Sequence, residues 1–262
     1  MNRMRIFLAI LGLPLCAVAA GELAPDPAII ANRKRALIDA HRETPFPSPE
    51  NRKLTAYDAY MARAAYALAV YHADDKERIP QADRYLKELQ SNEAYVIPDD
   101  GSPSFPNLKP FMFPMPLMGR MAVDREILGR MSGEARAALQ DILWRWLRTR
   151  SRIRDAAGQW TVARTENKDA IIEVTHLLSA QALMHAGPPY GPDRILADGH
   201  TLGEHYRAWV RYWIERFRQL AREGIHMEVN SPRYLSATIS AYYALRDLGG
   251  DGPRRPQQIV DG

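Results

Sequence analysis

Apolar residues recur at three- and four-residue intervals along nearly the whole chain, the spacing of helices that bury one side. The pattern predicts helices over 27–42, 57–72, 76–91, 117–131, 132–150, 169–186, 202–223 and 232–248. Several starts carry an opening residue: Thr55 before the second helix, Ser132 before the fifth, Asp198 or Thr201 before the seventh, and Ser231 followed by Pro232 before the last. Pro80 falls in the first turn of 76–91, where a missing N–H is tolerated. Strand-like alternation is confined to 159–162 and 225–229. The expected class is all-α, built from antiparallel helical hairpins. A bundle, a superhelix or an (α/α) toroid, complete or partial, each satisfies the pattern, and no solenoid-type repeat is present.

The connection 98–116 breaks the rhythm with six prolines set among Phe105, Phe111, Met112, Phe113 and Met115. A loop this apolar is expected to be ordered and draped over helix ends. The first twenty residues read as a secretory leader: Arg3 and Arg5, then an apolar stretch over 6–16 too short to span a bilayer, then small residues for cleavage. The expected organisation is therefore a leader over 1–20, a helical domain over 21–248 and a disordered tail over 249–262, rich in Gly and Pro. Cys16 is the single cysteine, and Leu15 before it does not suit lipidation. A mature chain without cysteine excludes disulfides and thiolate chemistry, and a periplasmic or secreted location follows from the leader. Of 35 basic residues, two lie in the leader, leaving 33 against 31 acidic ones. The basic balance is thus partly a property of the leader. No nucleic-acid partner is expected for an exported protein, and no membrane association after cleavage.

Candidate chemistry lies at two helix entrances. Glu166, Asn167, Lys168 and Asp169 open the helix that continues to 186, where they serve as caps or as the floor of a polar pocket. Glu173 and His176, three residues apart, share one face of that helix and suit proton transfer or metal binding as well as a structural pair. The second entrance reads Glu228-Val229-Asn230-Ser231-Pro232-Arg233-Tyr234. Tyr234, beside Arg233 or Lys168, is a candidate base. Ten arginines stand between Arg120 and Arg164 against five acids, with Trp144, Trp146 and Trp160 interleaved, a composition suited to an anionic polysaccharide or to a solvated helix face. Trp209 and Trp213, one turn apart, are expected to pack inward. No phosphate loop, nucleophile elbow or zinc-protease motif is present, and neither a cofactor nor a metal is expected.

The stretches Thr165-Glu166-Asn167, Ser179-Ala180-Gln181, Ala197-Asp198-Gly199, Glu204-His205-Tyr206 and 229–234 together resemble exported bacterial proteins related to the α/α-toroid domain of heparinase- and alginate-lyase-type polysaccharide lyases. The resemblance spans roughly 160–248. It implies β-elimination on a uronate-containing glycan. Asn167 matches the asparagine that neutralises the uronate carboxylate, Tyr234 is the candidate tyrosine, and His176 a second proton acceptor. Glu166, Lys168, Glu228, Arg233 and Trp160 are the expected substrate-binding residues. Lys168 departs from the pattern, standing where such lyases carry a histidine. The alternatives are a non-catalytic glycan- or protein-binding helical domain and a toroid hydrolase using Glu166 and Glu228.

Overall fold

The computed structural model describes residues 27–43, 56–91, 112, 114–157 and 166–223, together with Thr238, Ile239, Ala241, Tyr242, Ala244 and Leu245. These residues are all-helical, with one isolated bridge between Ile195 and Thr201. In chain order the helices are α1 (Pro27–Glu43), α2 (Ala56–Ala73), α3 (Ile79–Ser91), α4 (Met115–Val123), α5 (Arg125–Arg130), α6 (Gly133–Arg150), α7 (Ile153–Ala157), α8 (Glu166–Met184) and α9 (Leu202–Glu223). The six described residues between 238 and 245 are helical as well. The leader, the tail and most of the proline-rich connection lie outside the described residues.

Helix α8 is central. It packs against α4, α6 and α9, and buried apolar residues surround it: Ile171, Val174 and Leu178 on one side, Ile172 and Leu183 on another. Each such side chain contributes about 1.5–3 kcal/mol on burial. The contact with α4 depends on a glycine. A Cβ placed on Gly119 would lie 2.7 Å from Leu178 Cβ, so the two backbones approach closer than any side chain allows. Around that crossing α4 supplies Met115, Met118 and Met121, all fully buried, whose unbranched chains fill irregular space.

A second set of contacts joins α2, α3 and α6. Buried Asp83 on α3 accepts from the Tyr71 hydroxyl of α2 at 2.7 Å and from the Ser132 amide before α6 at 3.2 Å. Burial first, and the Asp83 carboxylate second, hold the Tyr71 hydroxyl protonated far above the ordinary range.

The structure refines several boundaries. The stretch expected as one helix over 117–131 is two, because Asp124 takes an extended backbone and turns its carboxylate onto the Glu126 and Ile127 amides at 3.0 and 3.1 Å. The helix expected from 76 begins at Ile79, since Asp75 holds residues 76–78 in a turn, accepting from the Arg78 amide at 3.3 Å and pairing with its guanidinium. Helix α8 starts three residues earlier than the expected 169 and ends at Met184. Short α7 has no counterpart in the sequence reading. Ser132 caps α6 as expected, accepting from Ala135 N at 3.1 Å. Thr201 caps α9 through a reciprocal pair with Glu204, which frees Asp198 for another role.

Candidate functional site

Helices α8 and α9 meet along a seam that carries polar side chains into the core. Trp213 Nε1 donates to the Glu173 carbonyl at 3.4 Å, and the His176 ring lies 4.9 Å from that of Trp209. Numbers rise along α8 as they fall along α9, so the helices run in opposite directions. From α8 the seam receives Asp169, Glu173 and His176, spaced four and three residues apart on one face. From α9 it receives His205, Trp209, Tyr212, Trp213 and Arg216, at helical spacing on the opposing face. Asp169, His176, His205 and Arg216 are all buried.

One end of the seam is charged. Tyr212 donates to the Glu173 carboxylate, and Arg216 acts on the same hydroxyl. Burial is the main cause, and the Glu173 negative charge the next, that keeps Tyr212 protonated well above its ordinary range. The group is therefore held as a neutral hydroxyl that donates a hydrogen bond to Glu173. Trp213, Phe217 and Tyr242 close this end, with ring centroids 5.6 Å apart in each pair.

The other end is a directional relay. Trp209 Nε1 donates to Ser151 Oγ at 2.8 Å, Ser151 Oγ lies 3.0 Å from His205 Nδ1, and His205 Nε2 lies 2.9 Å from Asp198 Oδ1. An indole only donates and a carboxylate only accepts. A proton on His205 Nε2, with Nδ1 accepting from Ser151, then satisfies every partner in one direction. Asp198 also receives the Ile153 amide at 3.0 Å, which starts α7, and the His200 amide at 3.3 Å. Burial works to raise the Asp198 carboxyl, but these three donors outweigh it and hold it below the ordinary carboxylate range. Gly199, at φ +84, makes the turn that aims Asp198 at them. Serine, histidine and aspartate also make hydrolytic triads. Here Ser151 and His205 are both 0 % exposed and the indole already donates to the serine oxygen, so no scissile carbonyl reaches it. The relay is a clasp joining the end of α6, the start of α7, the 185–201 connection and the first turn of α9.

The sequence-predicted residues fall into three groups. Trp160, Glu228, Arg233 and Tyr234 lie outside the described residues. Glu166 is the first residue of α8, with Lys168 half-buried in the same turn. Asn167 and His176 are both buried, but α8 does not bring them together. Asn167 shares its face with Ile171, Val174 and Leu178, the face turned to α4, whereas His176 faces α9 between Trp146 and Trp209. Trp209 and Trp213 pack inward as expected.

Among the described residues, members of the arginine run are taken up by local partners. Arg145 pairs with Asp141 and donates to the Gln90 carbonyl, Arg152 donates to the Ser151 carbonyl, and Arg154 pairs with Asp155. Sequence reasoning gave no role to Ser151, Tyr212 or Arg216, took Asp198 as a candidate cap and as part of the resemblance, and named His205 within the resemblance. Tyr212 and Arg216 were legible as inward positions of an amphipathic helix. Ser151 was not, because its partners are distant in the chain.

No protein-family profile, curated protein or solved structure matches the chain.

Proposed function

We propose that the chain is an exported, polysaccharide-lyase-like protein of α/α-toroid type, periplasmic or secreted, acting on uronate-containing glycan by β-elimination. The observation that carries this reading is the gathering of a guanidinium, a tyrosine and a carboxylate, Arg216, Tyr212 and Glu173, on the α8–α9 seam; Arg216 and Tyr212 are buried, so the reading requires the seam to open to the polymer. Elimination needs a cation or amide to hold the uronate carboxylate, a base for the C5 proton and a donor to the departing oxygen at C4. Asn167 or an arginine supplies the first and lowers the acidity barrier at C5. Tyr234 or His176 takes the proton, the C5 electron pair forms the C4–C5 double bond, and the C4–O bond breaks. The departing C4 oxygen takes its proton from water, and the neutral Tyr212 hydroxyl, too weak an acid to supply it, serves as a hydrogen-bond donor. Glu166, Lys168, Glu228, Arg233 and Trp160 bind the polymer in this reading.

The test is incubation with alginate, heparin and pectic polymers while following the ultraviolet absorbance of unsaturated uronate. A rise that Tyr212→Phe abolishes, with thermal stability retained, supports elimination. No absorbance on any polymer ends that reading. A second reading, glycan binding without turnover, is favoured by Asn167 and His176 facing opposite sides of α8 and by Lys168 in the histidine position. Retention of oligosaccharide with no new double bond is its signature.

A further inference from the structure

We propose that the outer face of α9 is a docking surface for a linear anionic glycan, separate from the α8–α9 seam. Arg207, Arg211, Arg218 and Arg222 are all exposed. At 100° per residue they fall within an arc of about 60°, and the row extends about 22 Å along the helix. The side of α9 that meets α8 is the opposite one, carrying His205, Trp209, Trp213 and Arg216.

This face is not the balanced mixture of a merely solvated helix. Arg207–Arg211 and Arg218–Arg222 are like-charged neighbours one turn apart, which disfavours the helix. Two acids lie near the row. Glu204 is engaged by the Thr201 amide and hydroxyl at 2.7 and 3.0 Å and lies in the field of Arg207 and His200, and Glu215 is shared by Arg218 at 3.9 Å and Arg222 at 3.0 Å. Arg211 makes no ion pair among the described residues. A carboxylate polymer laid along the row relieves the repulsion.

The residue type narrows the partner. Every cation of α9 outside its histidine is arginine, whose planar fork binds carboxylates in a bidentate manner. The large apolar side chains exposed among the described residues are Ile29, Leu37 and Ile195, none on α9, so the face lacks the apolar anchor of a membrane-surface helix. The α9 aromatics lie away from the row, so nothing there stacks on nucleobases. A straight row of guanidinium groups suits an extended polyanion. The choice of a uronate polymer rests on the function proposed above.

Calorimetric titration of the full chain with polygalacturonate oligosaccharides tests the inference, with neutral dextrin oligomers as control. Arg207→Gln with Arg211→Gln is expected to weaken polygalacturonate binding about tenfold and to flatten its salt dependence. Thermal stability is the check on folding, and these exposed positions leave it unchanged. Unaltered affinity in the double variant overturns the proposal. So does tighter, equally arginine-dependent binding of phosphatidylglycerol vesicles or single-stranded DNA. Failure of the elimination reading is distinguishable, because it removes unsaturated product while leaving the arginine-dependent binding in place.

Discussion

Helices α8 and α9 lie side by side, yet they meet opposite demands. Helix α8 has neighbours all round, with α4, α6 and α9 against it, and its apolar residues spread over its whole circumference. Helix α9 divides sharply, with aromatics and buried polar groups on one side and exposed arginines on the other. Where α8 is wrapped, every substitution meets a neighbour. Where α9 faces outward, only charge is at stake. Polar groups follow the same division. On the seam each requires a built partner, as in Ser151–His205–Asp198, whereas water serves the outer face.

The largest expected effect comes from opening the seam. His205→Ala removes the middle of the relay and leaves a cavity, and is expected to cost about 2–4 kcal/mol in denaturant unfolding. A cost under about 1 kcal/mol would show that the clasp does not hold this end together.

Two glycines give the next test. At Gly119, overpacking of about 1–3 kcal/mol against Leu178 exceeds the roughly 1 kcal/mol alanine gains in a helix, so Gly119→Ala destabilises. Gly129 on α5 has nothing within 4 Å of its Cβ position, so Gly129→Ala stabilises by about 0.5–1 kcal/mol. Equal signs for the two would refute the close α4–α8 crossing. Comparable in size, Asp124→Ala removes the cap of α5 and is expected to lower stability by about 1 kcal/mol.

Acid probes the relay without mutation. The Asp198 carboxyl is depressed in the folded state, so its contribution is complete above the ordinary carboxylate pKa. It is lost as pH falls through the lower folded value. Unfolding midpoints measured down the acid limb should therefore fall less steeply in Asp198→Asn than in the parent. The smallest effect belongs to the outer face of α9. Arg211→Gln removes the like-charge neighbour of Arg207 but also a cation four residues before Glu215, so it should change stability by less than about 0.3 kcal/mol while weakening glycan binding.

The clearest sequence signal was periodicity. The span 202–223 emerged with both ends correct, because α9 keeps its polar and apolar residues on separate sides. Helix α8 gave a poorer boundary, since a helix buried nearly all round has no solvent-facing polar stripe to set off its apolar side. Asp124 was invisible as a break because apolar residues continue on both sides of it, and only the carboxylate turning back onto two amides shows that the chain stops and restarts. At the seam, spacing alone placed Glu173 and His176 on one face of α8. It also implied that Asn167 belongs to another face, once the helix was known to begin at Glu166.

The sequence by itself determined an all-helical chain, because hydrophobic spacing and caps are local and act within one or two turns. It also determined that tryptophans 209 and 213 turn inward. Tertiary structure alone decided which helix became the centre, because Gly119 lets α4 approach Leu178 across distant sequence. It alone joined Ser151 to His205, Asp198 and Trp209, since each hydrogen bond needs a specific distance between segments whose separation the local code does not fix.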